Sequence, residues 1–517
     1  MKKILTCLLH LPLLLAAQQH PNIIYIMSDD HDANAISAYN KHFIQTPNID
    51  RIAAEGVRFD RAFVANSICG PARATILTGM FSHKNGFTDN RSRFDTSLVT
   101  VPKLMQQAGY QTAVIGKWHL VTYPKGFDYW KIVPGQGLYF EPRVISMQGD
   151  TSTYHGYATD VITDEALAWL KEKRNPSKPF TLFLHHKAPH RNFFPPLKYI
   201  EAFHDKVFPE PETLYEDTAG HGTAWRLQTM SILPDMKLCN DLKVDPAYIM
   251  DIPWLRPDSA DIRNYAITMR RVPEKDRERV KELYKSRGEL LQKLKPKGRE
   301  LLKYKYQWYL QDYLACIASV DENVGRVLDY LDQSGLSKNT IVVYTSDQGF
   351  YMGQNGWFDK RWMYDVSMRT PFMVRWPGHI PAGTHANAMV QNIDFGPTLL
   401  DVAGIPVPAF MQGMSLAGIL HSPNTSLPRK SLYYHFYEYK ADHTVLQHIG
   451  VRTDRYKLIY FYTVKEWQLF DLEKDHNELK NLVNNPRYSK VLAEMKKELA
   501  RLKDEYQDND PAIGRLE

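Results

Sequence analysis

Two acidic residues, Asp29 and Asp30, follow the apolar run Asn22 to Ser28, and Asp347 with Gln348 follows a second run, Thr340 to Ser346. Carboxylates at strand ends of a parallel sheet look into the crevice where such sheets bind ligands, and paired carboxylates there call for a cation. Four oxygen-bearing side chains on two strand ends, with no His or Cys interleaved, suit Ca2+ or Mg2+ better than zinc. For either pair alone, capping of a following helix or turn is the simpler account. Between the pairs lies Ser67-Ile-Cys-Gly-Pro-Ala-Arg-Ala-Thr-Ile-Leu-Thr-Gly79, in which Cys69 sits where a helix can begin and Arg73 falls one turn later. A helix N-terminus holds anions and lowers a thiol pKa; the plain alternative is a small buried cysteine. Lys117 and His119 alternate and so share a face at a strand end, while His185 and His186 precede the Lys187 to His190 loop and read as structural or outer residues.

Such groups need a frame that gathers distant segments. Asn22 to Ser28, Gln111 to Gly116, Pro179 to His185, Thr340 to Ser346 and Pro371 to Trp376 are short apolar runs rich in β-branched residues, and helical patterns follow them. Thr100 to Ala108 and Asp160 to Lys173 carry the clearest helical spacing. The pattern predicts an α/β chain with a large mixed, mostly parallel sheet flanked by helices. Pro195 to about Asp276 is proline-bearing and aperiodic, and Glu274 to Gly325 is long, helical and charged. These read as an insertion around 195–305 and a helix returning to the sheet. After Gly404 the pattern changes to tyrosine-rich alternation in Ser431 to Tyr439, Gly450 to Tyr462 and Trp467 to Leu472. That predicts three antiparallel strands closed by a helix from about Lys490 to Tyr506, and hence a division into 20–404 and a small α+β unit, 405–517.

The totals exclude more than they identify. The 517 residues are 44% hydrophobic and 24% charged, an ordinary globular composition, and a net charge of +6 spread along the chain gives no reason to expect nucleic acid. The four cysteines, Cys7, Cys69, Cys239 and Cys316, make no disulfide framework and no CxxC pair. Lys2 and Lys3 precede an apolar run from Ile4 to Ala17, which predicts a secretory leader over 1–19 and an exported, periplasmic protein with no membrane-spanning segment in its mature form.

Cys69-Gly-Pro-Ala-Arg73 with Leu77-Thr-Gly79 resembles the signature of the type I sulfatases, in which that cysteine is oxidised by a separate maturation enzyme to Cα-formylglycine. The family pattern usually has Ser where this chain has Ala72. Asp29-Asp30, Gly116-Lys-Trp-His119, Lys187-Ala-Pro-His190, Ser346-Asp-Gln-Gly349 and Asp359-Lys360-Arg361 stand in family order between residue 22 and about 376, and weaker similarity reaches Leu482. The resemblance implies an alkaline-phosphatase-like fold and a Ca2+ site made by Asp29, Asp30, the residue derived from Cys69, Asp347 and Gln348. A sulfate ester shields its sulfur with negative oxygens, so Lys117, Lys360 and the cation must oppose that charge before a nucleophile approaches. By the same resemblance the formylglycine is hydrated to a geminal diol, one hydroxyl attacks sulfur with help from Asp347, and Arg73 holds the diol. A sugar alkoxide leaves poorly and needs a general acid, for which His190 is the candidate; His119 is placed to take the proton as sulfate is expelled.

Within that family, Trp357 to Tyr364, Arg369-Thr-Pro and Leu184 to Arg191 resemble the bacterial branch related to N-acetylglucosamine-6-sulfatases. This implies exolytic removal of a 6-O-sulfate from N-acetylglucosamine in heparan, keratan or mucin-type glycans, with Asp359, Arg361, Trp362 and His435 as sugar contacts. Two competitors remain: a phosphoric ester hydrolase of the same superfamily, against which the Cys69 context argues, and an inactive glycan-binding protein.

Overall fold

The computed structural model describes residues 20–216 and 220–516, so the leader expected over 1–19, with Cys7, lies outside the described residues. In chain order the strands are β1 (Asn22–Asp29), β2 (Gly56–Phe59), β3 (Ala62–Phe63), β4 (Gln111–Lys117), β5 (Tyr129–Val133), β6 (Arg143–Ser146), β7 (Thr151–Thr153), β8 (Phe180–Pro189), β9 (Thr340–Ser346), β10 (Phe372–Arg375), β11 (Thr384–Ala386), β12 (Val390–Gln391) and β13 to β16 (Ser431–Phe436, His448–Thr453, Tyr456–Phe461, Glu466–Asp471). Ten of them form one sheet in the order β11-β2-β10-β9-β1-β8-β4-β5-β6-β7, β12 pairs with β3, and β13 to β16 form a separate antiparallel sheet in chain order.

The four middle strands, β9, β1, β8 and β4, are mutually parallel and buried on both faces, as their unbroken apolar runs require. Alternation sorts their side chains into two cores. Ile24, Ile26, Leu182, Leu184, Val342 and Tyr344 pack with the long helix Gly298–Gln333, and Ile23, Tyr25, Met27, Val114, Phe183 and Val343 pack with Val101 and Met105 on the opposite side. Register places Ser28 beside Ser346 and Asp29 beside Pro189, so the carboxyl ends of these strands lie level with one another.

Two expectations are corrected. The helical stretch from Glu274 is two helices, Glu274–Leu294 and Gly298–Gln333, because Lys295 takes a left-handed conformation and Pro296 cannot donate to a continuing ladder. Gly450 to Tyr462 is likewise two strands, since the chain reverses at Asp454-Arg455, where Tyr456 N donates to Thr453 Oγ1 at 2.9 Å. The small sheet therefore has four strands rather than three, with helix Ser489–Glu505 packed on it. Strands β2, β3, β5 to β7, β11 and β12 escaped sequence reading because they are two to five residues long and carry no extended apolar run. No helix among the described residues is long and apolar enough to cross a membrane.

His186 lies fully buried on β8 with neither ring nitrogen hydrogen-bonded, and burial pushes its pKa down to about 3. The folded chain thus binds fewer protons at this site than the unfolded chain below pH ~6.5, so the native state loses stability as pH falls from there toward 3. His186→Leu removes the titrating group. Its stability relative to wild type should improve by about 1.4 kcal/mol on going one pH unit below 6.5, measured by denaturant unfolding at pH 7.5 and 5.5. An equal difference at both pH values would refute this origin.

Candidate active site

The strand ends carry the charges. Lys117 Nζ donates to Asp29 and also to Gln136, Lys360 Nζ donates to Asp30 Oδ2 at 2.7 Å, and Arg73 reaches Asp347 Oδ2 through Nε at 3.2 Å and Nη2 at 2.9 Å. All six charged groups are buried, with three carboxylates facing three cations. Arg73 Nη1 also donates to the carbonyl of Lys117 at 2.9 Å, which ties the Arg73 segment to the β4 end. Asp30, His119, Asp359 and Arg361 all hold positive φ, between 57° and 89°, a conformation costly for residues with a Cβ. His119 therefore does not continue the strand face of Lys117. Strand β4 stops at Lys117, and a left-handed turn sets the His119 ring, whose buried Nδ1 has no partner, among the charges of Lys117, Asp29, Arg73 and Lys360.

Cys69 opens the helix Cys69–Thr78, as its position before Pro71 suggested. Its Sγ lies 4.0 Å from Asp30 Oδ1 and 4.0 Å from Gln348 Nε2. The thiol pKa is not lowered by the helix N-terminus: burial and the nearby Asp29 push it well above the ordinary thiol range. Gly70 and Gly349 are required by close approach, because a Cβ on the first would collide with Phe87 and Asn90, and on the second with backbone carbonyls of Val366 and Arg369.

The carboxylates differ. Burial raises the pKa of Asp29, but Lys117, His190 and Arg73 outweigh it and hold the group well below the usual range. Asp30 is pushed up to about 6 by burial, against Lys360, and Asp347 to about 7 by burial and the Asp29 charge, against Arg73. His190 Nδ1 donates to the carbonyl of Arg191 at 2.6 Å, which leaves Nε2 basic and 3.7 Å from Asp30 Oδ2. Burial and then Lys117 push its pKa well down, so the ring is neutral until an anion joins it.

One oxygen from each of Asp29, Asp30 and Asp347 falls within a 4.8 Å cluster. Asp29 Oδ1 and Gln348 Oε1 are buried with no hydrogen-bond donor, although Arg73 Nη2 stands 3.7 Å from the former. Orphaned oxygens amid three carboxylates fit a hard divalent cation, the arrangement expected from the sequence.

The expected sugar contacts divide. Asp359 and Arg361 flank Lys360 as a linked pair: Arg361 Nε donates to Asp359 Oδ1 at 3.1 Å, and its Nη2 has no hydrogen-bond partner among the described residues. Trp362 does not offer a face to a ligand. It is fully buried against Trp357, Tyr364 and Phe461, where the turn at Arg361, held at positive φ, sends it into the core. His435 is also a packing residue, stacked on Tyr437 and hydrogen-bonded to Asp508 at 2.7 Å and Tyr462 at 3.1 Å. The residue of the C-terminal sheet region that does reach the site is Glu438, whose Oε1 accepts from Arg361 Nη1 at 3.0 Å. It is the only acid in the aromatic run Ser431 to Tyr439, a signal the sequence reading passed over. Gln136, Lys187 and His443 were missed as well. Lys187 lies 4.4 Å over the Tyr139 ring with its pKa pushed down to about 8 by burial and by Lys117, and His443 Nε2 sits 3.3 Å from Asp359 Oδ2.

Comparison with known proteins identifies the family. A family model described as Sulfatase matches residues 21–405, and one described as N-sulphoglucosamine sulphohydrolase, C-terminal, matches 353–505. The chain is 45% identical over 499 residues to an N-acetylglucosamine-6-O-sulfatase of Bacteroides thetaiotaomicron, covering 95% of this chain and 88% of that one. It is 25% identical over 509 residues to an ulvan-active sulfatase of Formosa agariphila, covering 95% and 83%. Among solved structures, that of BT4656 in complex with its substrate D-glucosamine-2-N,6-O-disulfate superposes with a TM-score of 0.91 at 44% identity, covering 96% of this chain and 100% of that one.

The oxygen cluster carries a prediction that needs no turnover. After chelation and dialysis, adding Ca2+ should raise the unfolding temperature, since a ligand at about 100 times its Kd adds about 2.7 kcal/mol to the native state. Asp29→Ala should abolish the rise. Wild-type protein whose unfolding is indifferent to Ca2+ and Mg2+ alike would remove the cation assignment.

Proposed function

The chain belongs to the sulfatase family, and from that premise we propose that it hydrolyses the 6-O-sulfate ester of a terminal N-acetylglucosamine in sulfated glycans such as heparan, keratan or mucin-type chains. The observation that carries the chemistry is the meeting of Lys117, Lys360 and Arg73 with Asp29, Asp30, Asp347 and Cys69 at the level ends of four parallel strands. Two of the similar proteins named above, the N-acetylglucosamine-6-O-sulfatase and the protein solved with D-glucosamine-2-N,6-O-disulfate, share a 6-O-sulfated glucosamine and differ at nitrogen, so the reading commits to O6 first. Exolytic action is supported by depth: Asp359, Lys360 and Arg361 are each at most 5% exposed, so a chain end fits where a chain interior does not.

A maturation enzyme would convert Cys69 to formylglycine, whose hydrate supplies an oxygen nucleophile, and a divalent cation, Ca2+ on our reading, supplies charge opposite the ester oxygens. The chain's own residues do the rest. The ammonium groups of Lys117 and Lys360 are fixed by Asp29 and Asp30 and oppose the sulfate charge without having to reorganise. Arg73 holds Asp347 through two guanidinium nitrogens, so the carboxylate keeps its place beside Cys69. His190 presents Nε2 as the one free ring nitrogen; the incoming sulfate anion opposes the lowering of its pKa, and the proton it then carries goes to the departing sugar oxygen. His119, held neutral by burial and by Lys117, keeps an unpartnered ring nitrogen able to accept a proton as sulfate is released. Export to the periplasm follows from the leader pattern and would put the enzyme with such glycans.

Two outcomes test this. Protein whose Cys69 peptide is verified by mass as the aldehyde should release sulfate from 6-O-sulfated N-acetylglucosamine and from its N-sulfated counterpart. Turnover confined to galactose or uronic acid sulfates would eliminate the substrate assignment. His190→Ala should lower kcat on the sugar sulfate by about 100- to 10,000-fold, the usual worth of a general acid. On an ester with a phenol leaving group the loss should be far smaller, and equal losses on both would exclude proton donation by His190.

A further inference from the structure

Glu438 belongs to none of the groups assigned so far, yet it touches one of them, Arg361, and through Asn90 is linked to the start of the Cys69 helix. It stands in the loop after β13, 7% exposed, and its carboxylate is divided between two donors. Oε1 accepts from Arg361 Nη1 at 3.0 Å, and Oε2 accepts from the backbone N–H of Asn90 at 3.0 Å. Asn90 Oδ1 in turn accepts from the backbone N–H of Gly70 at 3.0 Å, the amide that follows Cys69. The helix needs that bond, because its N-cap, Ile68, has no side chain able to satisfy a first-turn N–H. A cap usually supplied from within the helix is here supplied by a turn that Glu438 holds in place.

We propose that Glu438 is a positioning residue that couples the orientation of Arg361 to the placement of Cys69, so that one side chain sets both sugar recognition and the seat of the nucleophile. Both contacts need an acceptor, and a carboxylate offers one at each oxygen. Glutamine has the same size but only one acceptor oxygen. Its amide NH2 must face either the guanidinium or the Asn90 N–H, so one arm breaks whichever way it turns. A second bridge runs parallel to the first: Tyr434 Oη donates to the Arg361 carbonyl at 2.9 Å and accepts from Ser67 N at 3.2 Å. It ties the same two segments through their backbone atoms, so loss of the Glu438 contacts leaves the fold in place and the guanidinium held by Asp359 alone.

The proposal rests on the reading of Arg361 as a sugar contact, and a double-mutant cycle separates the two. Matured wild type, Glu438→Gln, Arg361→Ala and the double variant are assayed on 6-O-sulfated N-acetylglucosamine. Glu438→Gln should lower kcat/KM about tenfold alone and less than about twofold in the Arg361→Ala background, where the amide is free to turn its oxygen to Asn90. Asn90→Ala should instead lower kcat several-fold with KM little changed. Equal kcat/KM effects of Glu438→Gln in both backgrounds, or none in a folded variant, would overturn the coupling. If Glu438→Gln does not fold, Glu438→Asp, too short to span both donors, carries the same cycle. Should wild type act only on another sulfated sugar, the substrate reading fails, and the cycle run on that sugar still decides the role of Glu438.

Discussion

Everything at the strand ends depends on one constraint: three carboxylates and three cations must be buried together with no bulk water to solvate them. Taken singly, each is expensive. An isolated buried ion costs several kcal/mol even after relaxation, and breaking one partner from a buried pair is costlier than never having made it. The protein meets this by pairing Asp29 with Lys117, Asp30 with Lys360 and Asp347 with Arg73, so that no charge is left without an opposite. The pairing is incomplete by design of the donor set. Asp29 Oδ1 and Gln348 Oε1 keep lone pairs with no hydrogen-bond donor, and the raised pKa values of Asp30 and Asp347 record carboxylates still short of positive charge.

The fold supplies the rigidity this arrangement requires. The partners come from segments distant in sequence: Asp29 from the end of β1 and Asp30 from just beyond it, Lys117 from β4, His190 from just beyond β8, Asp347 from just beyond β9, Arg73 from a helix and Lys360 from a loop. Parallel register across four strands keeps these origins level, and the helix Gly298–Gln333 braces them from one side, where Tyr313 Oη donates to the Asp30 carbonyl at 2.7 Å and accepts from Asp32 N at 3.0 Å. Positive φ at Asp30, His119, Asp359 and Arg361 shows where local backbone preference yields to the site. Strain of this kind persists only where surrounding structure over-determines it, and all four residues sit against the paired charges.

What the sequence disclosed follows from the range of the physics involved. Buried parallel strands announce themselves as continuous apolar runs, so β1, β4, β8 and β9, and with them the residues just past their ends, were legible without a structure. Cys69 and Arg73 were legible through their motif. Side-chain direction outside regular structure was not. Trp362 looked like a sugar platform because it neighbours Lys360 and Arg361, but positive φ at Arg361 turns the chain and sends the indole into the core. His435 was expected as a contact from the resemblance alone, whereas its partners, Asp508 and Tyr462, come from segments no local pattern links to it. Glu438 reaches the site only because β13 ends at Phe436, two residues before it and earlier than the alternation implied, so the chain leaves the sheet and folds toward Arg361.

The same electrostatics bears on why the nucleophile position should hold a modified residue. A catalytic thiol works as thiolate, and sites that use one surround it with positive charge to lower its pKa. Cys69 has Lys360 and Lys117 in range, yet burial and the Asp29 and Asp347 charges prevail and keep it protonated. A thiolate would also add a fourth anion to a cluster whose carboxylates already lack positive charge. An oxygen nucleophile that enters the site neutral avoids both penalties, because it needs no standing negative charge before substrate arrives. On our reading, conversion of Cys69 to formylglycine is thus the change that lets a site crowded with carboxylates attack an anionic ester at all.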